Sequence, residues 1–64
     1  MHAIFALQRA TLRARNRGHD VSTRAERGLV QLVRADYDSG GRSVVQPLSV
    51  WMPATAAVAA LDAL

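Results

Sequence analysis

The chain has 64 residues, half of them hydrophobic, with eight arginines, no lysine, five acids and a formal net charge of +3. A fold of this length buries only about 60% of the surface its unfolded chain exposes, and twelve of the thirty-two hydrophobic residues are alanine, which adds little core volume. With no cysteine and no apolar run near the roughly 18 to 20 residues that span a bilayer, these counts exclude an ordinary-sized enzyme, a disulfide mini-protein, a thiolate metal site and an integral membrane helix.

The first predicted element is a helix over residues 3–16. On a 100° wheel with Arg9 at zero, Arg13 falls at about 40° and Arg17 at about 80°, while Ala14, Leu7, Thr11, Ile4, Leu12 and Phe5 spread from about 140° to about 320°. An arginine stripe thus lies opposite a broad apolar face, with Arg15 the one intruder. Gly18 offers the left-handed backbone that helix C-caps favour. A strand over residues 2–8 is the rival reading of the same short apolar run.

A second helix is predicted over residues 24–38. Thr23-Arg24-Ala25-Glu26 has the spacing of a capping box, and Leu29, Val30, Leu32, Val33 and Tyr37 form an apolar edge behind it. Gly28 counts against this helix, costing about 1 kcal/mol relative to alanine in a helix interior. Residues 43–52 then read as an extended segment with period-two alternation, which Pro47 makes an edge strand or an irregular extended arm rather than a central strand. Pro53 opens a last helix over residues 54–63, whose alanines make it thin.

Charge is unevenly divided. Residues 1–34 hold seven arginines against Asp20 and Glu26, and residues 35–64 hold Arg42 against Asp36, Asp38 and Asp62. The first half is therefore basic and the second mildly acidic, an arrangement suited to oriented docking on an anionic surface. Arginine without lysine also follows from GC-rich codons, so that preference alone decides nothing.

Catalytic patterns are weak. Asp36 and Asp38 diverge by about 200° on a helix and cannot act as a carboxylate pair. His19-Asp20 beside Ser22 reads as a polar turn, since adjacency in sequence does not give triad geometry. Ser39-Gly40-Gly41-Arg42 lacks the spacing of a phosphate loop, and His2 and His19 lie too far apart for local metal-ligand spacing. No catalytic residue, metal ligand or cofactor is assigned. The acid-free first nineteen residues share the composition of a presequence or a membrane-surface helix, but only Ile4, Phe5, Leu7 and Leu12 are large and apolar, so membrane binding is the lesser expectation.

Val30 through Leu48, with Tyr37-Asp38-Ser39-Gly40-Gly41 and Val45-Gln46-Pro47-Leu48, is similar to the early hairpin of WYL-type regulatory sensor domains. The likeness spans under a third of the chain and lacks the downstream Trp-Tyr-Leu signature. It implies a β-hairpin near 30–51 in place of part of the second helix.

The expected fold is therefore one domain over residues 1–64, mainly α, with three helices and an extended arm. The alternative is α+β with that hairpin. The expected function is non-enzymatic: a small cytoplasmic regulator or accessory protein docking Arg9, Arg13, Arg17, Arg24 and Arg27 on nucleic acid or a nucleoprotein. The alternative is an inhibitor or assembly subunit that binds a protein through Trp51, Met52, Val58, Leu61 and Leu64. A chain so poor in large apolar residues is also expected to associate, as a two-fold dimer helped by Ala56, Ala60 and Ala63 or with a foreign partner.

Overall fold

The computed structural model describes residues 3–64 and has the order α1 (Ala3–Asn16), β1 (Ser22–Glu26), β2 (Leu29–Tyr37), β3 (Ser43–Pro47) and α2 (Ala54–Asp62). His2, considered above as a metal ligand, lies outside the described residues. The three strands form one antiparallel sheet in the order β1-β2-β3. The fold is thus α+β, and the three-helix expectation is overturned. Helices α1 and α2 match the first and last predicted helices. The predicted helix over 24–38 is instead most of a β-hairpin, and the alternative hairpin near 30–51 corresponds to β2 and β3.

The reason lies in β2, whose residues 30–33 are buried without interruption. Val30 and Leu32 enter the core shared with the helices, while Gln31 and Val33 alternate onto the opposite face and are buried there. A strand covered on both faces loses its period-two signature, so its apolar run fits a helical stripe equally well. The capping-box residues Thr23 to Glu26 pair instead with β2, from Thr23 opposite Leu32 to Glu26 opposite Leu29. Between the strands, Arg27 and Gly28 both take positive φ, at 54° and 79°. Such a two-residue turn matches the twist of the flanking strands.

Helix α1 ends as its sequence foretells. The Gly18 N–H donates to the Arg15 carbonyl and the His19 N–H to the Ala14 carbonyl, with Gly18 at φ 96°, which is a Schellman closure. Arg15, the intruder on the wheel, donates from Nε to the Val21 carbonyl and from Nη2 to Ser22 Oγ, tying the helix to the start of β1. The small core gathers Leu7, Ala10 and Ala14 of α1, Val21, Val30 and Leu32 of the sheet, and Ala57 and Leu61 of α2. Ala10, Ala14 and Ala57 have no exposed surface. Alanine here lets two helices approach closely, so the thinness of α2 serves a contact within the chain.

Beyond β3 the chain keeps to the same side of β2. Val33 is paired with Pro47, yet Val30 bridges Met52, so three steps along β2 face five on the returning segment. The excess is a bulge, and Gln31 and Ser49 satisfy it. Gln31 Nε2 donates to the Ser49 carbonyl at 2.9 Å, and the Leu32 N–H donates to Ser49 Oγ at 3.0 Å. Arg24 Nε of β1 donates to Gln31 Oε1 at 2.8 Å. Gln31 is the buried polar residue of the sheet, at 6% exposure, and no described buried side-chain nitrogen or oxygen lacks a hydrogen-bond partner.

Two substitutions test this account. Gly28→Ala would stabilise a helix over 24–38, but in the turn it forces a side chain into positive φ and is expected to cost about 1 to 2 kcal/mol, read as a lower urea midpoint. Gln31→Leu keeps the volume and strands the Ser49 carbonyl and the Arg24 Nε. An expected loss of about 2 to 3 kcal/mol would appear in the same titration.

Candidate functional site

The arginines proposed as one docking stripe fall into separate structural groups. Arg13 makes a bidentate pair with Asp62 of α2, Nε to Oδ1 and Nη2 to Oδ2, both at 3.0 Å. Arg17 lies past the end of α1, and its Nη2 donates to the Leu61 carbonyl at 2.7 Å. These two side chains bring the C-terminal ends of both helices together. Each such end carries unsatisfied carbonyls and a partial negative charge, so adjacent cations are favourable there. Two of the seven arginines in the first half of the sequence therefore serve the helix pair.

Arg24 belongs to a second group. Its guanidinium carbon sits 5.1 Å from the Trp51 ring centroid, a cation–π contact, while its Nε holds Gln31. Arg27 occupies the β1–β2 turn and, with Glu26, Leu29 and Trp51, lines a shallow groove of about 260 Å³. Arg9 is exposed on α1 and, like Arg27, makes no ion pair or side-chain hydrogen bond among the described residues.

The residues proposed as a protein interface are also dispersed in environment. Leu61 has no exposed surface and is a core residue. Met52, Val58 and Trp51 are half-buried, the first two against the core. Leu64 is exposed. Of the alanines proposed for a dimer contact, Ala56 and Ala63 are exposed and Ala60 packs partly against the core.

An open apolar surface lies elsewhere, on α1. Ile4 and Leu12 are 58% and 57% exposed and lie on one edge of the helix with Gln8 between them. The broad apolar arc of the wheel is thus split. Ala14 and Leu7, with Ala10 just beyond its edge, are buried, and Ile4, Leu12 and Phe5 form its exposed part. The signal available in sequence was the width of that arc, which exceeds what one helix contact covers. Alongside, a groove of about 390 Å³ runs between α1 and β1, walled by Gln8, Thr11, Leu12, Arg15, Ser22 and Thr23.

Among the described residues no three His, Asp or Glu side chains come together in a metal-binding group. His19, Asp20 and Ser22 lie in the turn before β1 and at its start, and Asp38 Oδ1 accepts from the Gly40 and Arg42 N–H groups to close the β2–β3 loop. No described helix is long and apolar enough to cross a membrane. No protein-family model, no curated protein and no solved structure matches the chain.

The helix clasp has a pH signature. The hydrogen bond from Arg13, aided by the nearby positive charges of Arg13 and Arg17, holds the Asp62 carboxyl below its ordinary range. A carboxylate depressed in the folded state stabilises it above the unfolded value, and that stability is lost as pH falls through the folded value. Wild type is therefore expected to exceed Asp62→Asn in urea midpoint at neutral pH, with the difference closing below roughly pH 4. Urea titrations of both proteins across that window check the sign.

Proposed function

We propose that this is a non-enzymatic binding module whose α1 face docks on an acidic-rimmed apolar surface of a protein partner. The observation that carries the reading is the exposed Ile4–Gln8–Leu12 edge on a helix that has three arginines and no acid. Burying what remains exposed of these two side chains contributes about 1 to 2 kcal/mol each, and Arg9 flanks them as a cation that favours an acidic rim. Docking on nucleic acid is the second reading and draws on the net charge of +3. It has few uncommitted cations to draw on, because Arg13, Arg15, Arg17 and Arg24 are engaged within the chain.

Affinity capture from nuclease-treated cell extract, followed by reconstitution with the purified captured protein, tests the reading. Leu12→Asp is expected to weaken binding at least about tenfold, Arg9→Ala only a few-fold, and raising salt a few-fold at most. Labelled DNA and RNA duplexes are expected to bind only weakly at low salt. Tight duplex binding that falls roughly with the third or fourth power of salt concentration and ignores Leu12→Asp would overturn it in favour of nucleic acid.

A further inference from the structure

β1 is an edge strand, and its free side can be deduced from the hydrogen bonds of its neighbour. Val30 exchanges both backbone bonds with Met52. Leu32 accepts from the Leu48 N–H and donates to Ser49 Oγ. Both residues therefore direct their backbone groups away from β1, and their register partners on β1, Ala25 and Thr23, are non-hydrogen-bonded positions. The N–H and C=O of Thr23 and Ala25 must then point outward from the sheet, and neither residue has a backbone partner beyond the strand among the described residues. Val21 points the same way, but Arg15 already occupies its carbonyl.

The same stretch carries a charge pair. Arg24 and Glu26 both sit on the sheet face away from the helices, two residues apart. Trp51 and Gln31 fix the Arg24 side chain through its ring contact and its Nε, leaving both terminal nitrogens uncommitted among the described residues. Glu26 is exposed and likewise has no described partner.

We infer that the β1 edge is the seam of a two-fold homodimer, formed by antiparallel pairing with a second copy of the chain. Three registers bring outward-pointing positions together. Thr23 against Ala25 places Arg24 directly opposite its own copy, and like charges at a close non-hydrogen-bonded pair are unfavourable. Thr23 against Thr23 sets Ala25 against Val21, whose carbonyl Arg15 has taken. Ala25 against Ala25 sets each Arg24 opposite Glu26 of the second copy, twice across the axis. Charge complementarity selects this last register; Thr23 then lies opposite Arg27 of the turn, so the Ala25 pair supplies the backbone bonds that join the two sheets. The seam is short, so the dimer is weak and concentration-dependent. It uses the backbone of β1 and the Arg24–Glu26 pair rather than the apolar side chains of α1, although Leu12 and Thr23 wall the same groove.

Sedimentation velocity from about 1 to about 500 µM tests the seam. Wild type is expected to dimerise, with Arg24→Glu and Glu26→Arg each weakening the dimer at least about tenfold. An equimolar mixture of the two variants is expected to associate again, because both cross-axis pairs are restored with reversed sign in one of them. Ala25→Pro removes an outward N–H without touching the β1–β2 bonds and is expected to give a folded monomer by circular dichroism. A wild-type monomer throughout the series, or a dimer indifferent to all three β1 variants, would overturn the inference. If Arg24→Glu fails to fold, Glu26→Arg and Ala25→Pro decide the matter by themselves.

Discussion

The amide of Gln31 is the constraint on which the sheet depends. It is a buried polar group in a domain with little apolar volume to spare, and it is tolerated because both ends of the amide are used. Its oxygen accepts from Arg24 on the neighbouring strand β1, and its nitrogen donates to the Ser49 carbonyl in the segment that follows β3. The bulge that follows β3 would otherwise leave backbone groups unpaired beside β2, where burial makes an unmade bond expensive. Satisfying it lets the chain return to register at Met52, immediately before Pro53 opens α2. Strand pairing, the seating of Trp51 beside Arg24 and the take-off of the last helix thus share one side chain.

The parts of the fold legible in the sequence are those governed by local chemistry. Gly18 announced the end of α1, and Pro53 the start of α2. Pro47 marked an edge strand, and β3 is one. What misled was the middle of the chain, where Thr23 to Glu26 satisfies a helix-start pattern and residues 29–33 satisfy a helical stripe. Both signals are local, and the deciding fact is not: β2 lies between two strands, with helices on one face and the Arg24–Trp51 layer on the other. Gly28 was the clue, since an expensive residue in a helix interior is the natural one at positive φ.

The arginines show the same limit from the functional side. A helical wheel places Arg13 and Arg17 on one edge, yet says nothing of Asp62 or the Leu61 carbonyl some 44 to 49 residues later. Side chains read as one recognition stripe are divided between helix ends and an aromatic ring. Conversely, the wheel sets Leu12 on the broad apolar face, yet it is 57% exposed. The true core boundary follows the alanines, whose small size permits the α1–α2 contact and leaves the larger residues of α1 outside it.

That contact joins the first and last described elements of the chain, and it bears on how the protein is made. Synthesis delivers α1 first, but the surface that buries Ala10 and Ala14 and the carboxylate that receives Arg13 reside in α2. Until the ribosome has released Leu61 and Asp62, the nascent chain can form its hairpins but cannot seat α1 in its final position. The clasp joins residues 44 to 49 positions apart, so loop closure over most of the chain must precede its stabilising contacts. A ribosome paused before that point holds a chain whose apolar helix is uncovered, a natural substrate for a chaperone or a protease.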